Sequence, residues 1–285
     1  MKPSNLNYLF NVEYYQVIGL NDRGVGYSED EKSEHYRNCN LRLTKQDFQN
    51  SSTSLPFSDS ENSFVLEVSY PGLLVGLGYM HEIGKDNKEQ DKDKSLEEAV
   101  KLGISLDYVS GLPMIPGSSV KGTLRSAFIS LPGYVIELLE QLGIEGIDKS
   151  ALQSIEREVF GSRNSTGTQR GQDTFFDAIP VGADKQGYLL NLEHITPHFD
   201  PNDKLSRAGL KNPRPLRLIK IRPGVKMLFR FHLTDGCISA TAKRNLFKAI
   251  LMQLGAGAKT NVGFGVLKET KASSMINELS PISTA

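Results

Sequence analysis

The chain has 285 residues, 39% hydrophobic and 23% charged, with 33 basic and 33 acidic side chains. That composition fits a soluble globular protein with a sizeable buried core and excludes a disordered one. The longest apolar runs fall far short of the roughly 20 residues of a membrane-crossing helix, and residues 1–5 open no secretory signal. Two cysteines, Cys39 and Cys237, lie in no CxxC pair, so neither a disulfide framework nor structural zinc is expected, and a reduced cytoplasmic setting is.

Residues 1–62 read as a polar, irregular N-terminal extension, with an apolar and aromatic stretch at 8–20 suited to a short helix or strand. Residues 63–69 form a strand pattern that resumes at 73–75 after Pro71-Gly72. The charged stretch 82–98 reads as an exposed loop, and 104–108 as a strand. Helices are expected over 118–131, 134–142 and 148–160, followed by a polar loop over 161–172. Strands are expected over 174–181, 187–195 and 216–221, with a polar loop over 198–212 between the last two. In residues 225–233 the apolar set Val225, Met227, Phe229, Phe231 and Leu233 alternates with Lys226, Leu228, Arg230 and His232. That is a strand with one core face and one basic face. Leu246, Phe247, Ile250, Leu251 and Leu254 place a helix over 240–254, and residues 262–268 form the final strand. Helices and strands mix without regular βαβ spacing, which favours an antiparallel α+β sheet over a parallel one.

The balanced total hides an asymmetry. Residues 204–268 carry 14 bases and one acid, Asp235, while both preceding thirds are acidic. Two explanations are open: this segment faces a polyanion, or it neutralises acidic segments of the same chain.

Two motifs carry candidate chemistry. In Ile115-Pro116-Gly117-Ser118-Ser119-Val120-Lys121-Gly122-Thr123-Leu124-Arg125 a turn leads into a helix that Ser118 or Ser119 would cap. Free N–H groups with Lys121 and Arg125 four apart would form a phosphate cradle. Gly122, unfavourable inside a helix, suits close approach of a ligand to the backbone. The order Lys121-Gly122-Thr123 is not that of a P-loop, so ATP or GTP binding is not expected. The second motif has glycines at 255, 257, 263 and 265 around Lys259, Thr260 and Asn261, and joins a helix to a strand. Gly255 suits a helix C-terminus. Gly257 and Gly263 suit positive φ and a loop hugging a sugar–phosphate chain, and the alternative is a tight structural turn.

Taken together, 115–125 and 255–265 resemble the RAMP superfamily of CRISPR proteins. Leu74-Val75-Gly76-Leu77-Gly78, Phe160-Gly161 and Phe175-Phe176-Asp177-Ala178-Ile179-Pro180 extend the resemblance. Thr196-Pro197-His198-Phe199 and Pro213-Arg214-Pro215 narrow it to subunits of type III-B effectors. The resemblance implies a ferredoxin-like, RNA-recognition-type core over 63–268, with insertions at about 79–103 and 132–172 forming a thumb, and a tail at 269–285. It implies binding of guide RNA and target RNA beside other effector subunits, with no cofactor, no metal and no membrane. The RNA-binding set is Ser118, Ser119, Lys121, Gly122, Arg125, Gly255, Gly257, Lys259, Thr260, Asn261 and Gly263, with Arg230 and His198. The alternative is a RAMP endoribonuclease, for which His81, His194 and His198 are the candidate bases. Asp177 reads as a buried hydrogen-bonding residue.

Overall fold

The computed structural model describes residues 5–19, 24–48, 62–78, 98–164, 167–195 and 216–270. His81, His198, the loop at 198–212 and nearly all of the stretches 82–98 and 269–285 lie outside the described residues. In chain order the elements are α1 (Leu6–Asn11), α2 (Glu29–Lys45), β1 (Ser63–Val68), α3 (Gly117–Ser130), α4 (Pro132–Gln141), α5 (Lys149–Phe160), β2 (Gly161–Asn164) and β3 (Gly167–Arg170). They continue with β4 (Thr174–Phe175), β5 (Ile179–Gly182), β6 (Leu190–Ile195), β7 (Leu216–Ile221), β8 (Lys226–His232), α6 (Ala240–Leu254) and β9 (Leu267–Glu269). The protein is mixed α+β with antiparallel sheets, as the element pattern predicts.

β8 is the centre of the main sheet. It pairs with β1 on one side and with β4 and β5 on the other, and β1 also pairs with β9, every pair antiparallel. The register sets Phe64 against Phe229 and Leu66 against Met227. Leu66, Val68, Met227, Phe229 and Phe231 are buried on the face that α3 and α6 cover with Val120, Leu124, Leu246, Phe247 and Ile250. Phe247 lies 5.5 Å from Phe231 and 5.8 Å from Phe175 between ring centroids, close enough for aromatic contact across the layers. The amphipathic period of 240–254 and the alternation of 225–233 therefore translate directly into the two halves of the core.

The remaining sheets are pairs. β6 and β7 run in unbroken register from Leu190↔Ile221 to Ile195↔Leu216. Residues 72–75 form a spine between this pair and the rest of the fold. Leu73 exchanges both backbone hydrogen bonds with Ile221, at 3.0 and 2.9 Å, and Ser105 N–H donates to the Val75 carbonyl.

Several elements differ from the sequence expectation. The extension 1–62 is not irregular where it is described. α2 has 17 residues, starts with a Ser28–Glu31 capping box, and buries Tyr36, Cys39, Asn40, Leu43 and Thr44 on one side. Tyr14 locks it in place: its hydroxyl donates to Asn40 Oδ1 and accepts from Val100 N–H. The loop expected over 161–172 contains the β2–β3 hairpin, whose β3 residues are all exposed, so no apolar alternation marks it. The strand expected over 174–181 breaks into β4 and β5 because Phe176 and Asp177 turn outward. The final strand is shorter than 262–268 because residues Thr260–Val262 form a 3₁₀ turn. Residues 104–108 make only an isolated bridge, Leu106↔Pro113.

Where they are described, the bases of 204–268 are largely matched within the chain. Arg217 pairs with Glu98, Lys220 with Glu193, Arg222 with Asp184, Lys248 with Glu269 and Lys268 with Glu67. Lys243 is fully buried, 2.8 Å from Glu158 and 3.1 Å from Asp173, and its ammonium also donates to the Thr234 carbonyl. Internal neutralisation, the second of the two explanations, holds for these residues. Lys204, Arg207, Lys211 and Arg214 lie outside the described residues.

Candidate nucleic-acid interface

The two motifs, some 140 residues apart in sequence, meet beside the spine at 72–75. α6 ends at Gly255, whose N–H donates to Leu251 and whose φ is 73°. The loop then folds back on itself and on the spine. Ala256 N–H donates to Gly265, Gly265 N–H to Gly72, and Ala258 N–H to Leu74, at 3.0, 2.8 and 2.8 Å. At the tip Lys259 takes the left-handed conformation, φ 59°, the one positive φ of a non-glycine among the described residues. The Val262 and Phe264 amides both donate to its carbonyl. A conformation that costs a side-chain-bearing residue energy is retained at functional tips. Lys259, Thr260 and Asn261 are exposed there.

Between loop, spine and α3 lies an open cavity of about 510 Å³, within the size range of ligand sites. The spine and its continuation to Gly78 form one wall, Gly257 and Ala258 a second, and Ile115, Pro116, Ser119 and Thr123 the third. Among the described residues no ionisable side chain lines it.

The start of α3 differs from the expected cradle. Ser118 and Ser119 are not caps but first-turn residues, and the N-cap is Pro116, whose ring has no hydrogen-bonding group to offer. The cap is supplied from afar. Asp177 Oδ1 accepts from the Gly117 N–H at 2.7 Å, and the Ser119 and Val120 amides donate to the Pro116 carbonyl. Asp177 is thus exposed rather than buried, and it holds a carboxylate where the sequence places a phosphate. Gly117 permits this, since a Cβ there would fall on the Phe175 carbonyl.

The described residues named from sequence separate into four groups. Ser119 and Gly257 face the cavity. Ser118, Gly122, Lys259, Thr260 and Asn261 are exposed beside it, with Gly263 half-buried. Lys121, Arg125 and Arg230 are drawn elsewhere. Lys121 lies 5.7 Å over the Phe175 ring, and Arg230 lies 5.8 Å over the Phe176 ring. Arg125 donates to Glu156 at 2.7 Å and to the Gly161 carbonyl at 3.2 Å, bracing the base of the β2–β3 hairpin. Gly255 is buried in the turn itself.

The glycines also divide by role. A Cβ on Gly257 would fall on the Leu74 carbonyl and 2.9 Å from Leu73 Cδ1, and one on Gly265 would fall on the Ala256 carbonyl. Protein backbone already makes the close approach at these two positions. Gly122 and Gly263 are different, for nothing lies within 4 Å of a Cβ on Gly122 and only Pro71 Cδ, at 3.8 Å, near one on Gly263. Thr123 is a cavity residue that sequence reading passed over, although it lies four residues after Ser119 on the same helix face. Of the candidate bases, His194 accepts from Arg217 at 3.2 Å on β6, apart from the cavity lining.

Residues 65–268, most of the chain, match the RAMP superfamily as a whole family. The chain belongs to the RAMP superfamily. Two curated relatives are similar over part of their length. CRISPR system Cmr subunit Cmr6 of Pyrococcus furiosus is 28% identical over 61% of this chain and 63% of its own. CRISPR system CMR subunit Cmr6 of Saccharolobus solfataricus is 29% identical over 59% of this chain and 49% of its own. The match therefore spans less than two thirds of either relative. Among solved structures, a chain of the type III-B Cmr-beta complex bound to cognate target RNA superposes with a TM-score of 0.55 at 19% identity, covering 93% of this chain and 85% of that one. This last likeness is one of fold.

Proposed function

We propose that this RAMP protein is a non-catalytic, RNA-binding subunit of a cytoplasmic type III-B CRISPR ribonucleoprotein effector. In this role it lies along the guide RNA backbone near its 3′ end, against other Cmr subunits, and helps to present the guide to target RNA. The observation that carries the proposal is the convergence of both motifs on one open cavity crowned by Lys259. The similarity to two Cmr6 proteins supports the assignment to the effector. The core we assign to residues 63–268 is ferredoxin-like. The order β9–β1–β8–β4/β5, with α3 leading from β1 towards β4 and α6 linking β8 to β9, supports that arrangement. Residues 1–62, about 79–103 and 132–172, and 269–285 are its extension, insertions and tail.

Binding to the strand is expected to be independent of base sequence, because a loop charge and backbone amides contact phosphate and sugar rather than base edges. The test is filter binding of the full chain to unrelated single-stranded RNAs, alongside incubation with repeat RNA and complementary target RNA with and without Mg²⁺. Similar affinities and no cleavage are expected. Cleavage abolished by His198→Ala would replace this proposal with the endoribonuclease. Failure to bind RNA, alone and with the other subunits, would remove it.

A further inference from the structure

The cavity where the motifs meet is built for a neutral group rather than for phosphate. Among the described residues its lining carries no ionisable side chain, and an anion entering uncharged, partly apolar surroundings loses hydration that no charged group there replaces. The neighbouring helix start offers it little beyond the Ser118 amide, since Asp177 already occupies the Gly117 amide and the Ser119 and Val120 amides turn to Pro116. Of the parts of a nucleic-acid strand, sugar and base are neutral. The lining favours the sugar. Reading a base edge needs donors and acceptors in fixed directions, and the Ala258 amide already engages one lone pair of the Leu74 carbonyl.

Two groups remain. The hydroxyls of Ser119 and Thr123 stand one helical turn apart on the wall of the cavity, and among the described residues neither has a hydrogen-bond partner. A hydroxyl both donates and accepts and rotates to suit, which matches the 2′-hydroxyl, itself both donor and acceptor. Leu77, Pro116 and Ala258, each partly exposed in the lining, give the C–H faces of a sugar something to pack against. Lys259, the residue after Ala258, is exposed at the tip for the adjoining phosphate.

We infer that this cavity seats one ribose of the bound strand, and that Ser119 and Thr123 read its 2′-hydroxyl, so that this pair makes the surface prefer RNA over DNA. The inference rests on the RNA-binding proposal above and adds what the site discriminates.

The test is fluorescence anisotropy of the full chain with a 12-nucleotide mixed-sequence RNA, the same sequence as DNA, and its 2′-O-methyl form. One net hydrogen bond corresponds to about a fivefold preference for RNA over DNA, and the 2′-O-methyl strand is expected to bind more weakly than RNA. In Ser119→Ala/Thr123→Val the preference should vanish with DNA affinity unchanged, while Ser119→Thr/Thr123→Ser should retain it. Equal binding of RNA and DNA by the unaltered chain overturns the inference and leaves the RNA-binding proposal standing. A preference that survives the double substitution, or an equal loss for RNA and DNA, also overturns it. Binding to neither strand removes both.

Discussion

Replacing Gly122 by alanine separates what the fold requires of α3 from what a bound strand requires. The position lies inside the helix and is exposed, has no positive φ, and has nothing within 4 Å of an added Cβ. Alanine there should raise stability by about 0.5–1 kcal/mol, because it removes the backbone entropy that glycine loses in a helix. In a chain of 285 residues that is a rise in melting temperature of about 2 °C. Gly122→Leu should also fold, yet place a bulky side chain beside Ser119 and Thr123, and RNA affinity should fall by about tenfold or more. Gly257→Ala is the mirror image. Its Cβ meets the Leu74 carbonyl at φ 80°, so folding should lose more than about 2 kcal/mol. Thermal melting and filter binding on the same samples read both quantities. A Gly122→Leu protein that melts normally and binds RNA as tightly as the unaltered chain would refute the reasoning, as would a fully stable Gly257→Ala.

Lys259→Gln should weaken binding alike for unrelated RNAs and make the slope of log K against log salt shallower by about 0.7; a loss confined to one sequence would contradict a phosphate contact. Arg125→Gln, by contrast, should leave that slope unchanged and cost less than about 1 kcal/mol, since its ion pair with Glu156 is partly exposed. Lys243→Met leaves Asp173 and Glu158 without their cation in the interior and should cost about 3–5 kcal/mol in denaturant unfolding. Acid should weaken the fold through three carboxyls. The Arg217 hydrogen bond holds Glu98 below its ordinary pKa of 4.5. Burial pushes Glu158 and Glu193 up, but Lys243 with the Cys237 amide, and Lys220, outweigh it and leave both lowered. A carboxyl with a lowered folded pKa stabilises above the ordinary value and loses that contribution as the pH falls through the folded one. Stability should therefore drop below about pH 4.5, and Glu98→Gln should flatten that drop.

Period and punctuation made the centre of this fold legible. Residues 240–254 declare themselves by apolar spacing and a glycine stop, and 225–233 by strict alternation. α2 was hidden because nearly half of its residues are charged, and only the Ser28–Glu31 pair marks its start. The β2–β3 hairpin was hidden because it buries so little. Charge was legible as a quantity but not as an arrangement. Nothing local links Arg217 to Glu98, 119 positions away, or Lys243 to Glu158, 85 away. The same limit applied at the candidate site. Family resemblance joined the two motifs, but that Asp177 caps α3 from 60 residues away, and that Arg125 serves the hairpin, depend on distant partners.

The spine at 72–75 has a consequence for exchanging parts between related proteins. One edge of it receives the glycine-rich loop through Gly72 and Leu74, and Leu73 meets β7 on the other. Gly72 has no room for a side chain, since a Cβ there would lie 2.6 Å from the Ile221 carbonyl. A loop grafted alone would arrive without the carbonyls that shape it. A shift of one residue in 72–75 would turn those carbonyls away from the loop and toward β7. The transplantable unit is therefore a discontinuous one, residues 72–78 together with 255–265, and a chimera that carries both should keep its grip on RNA where either half alone loses it.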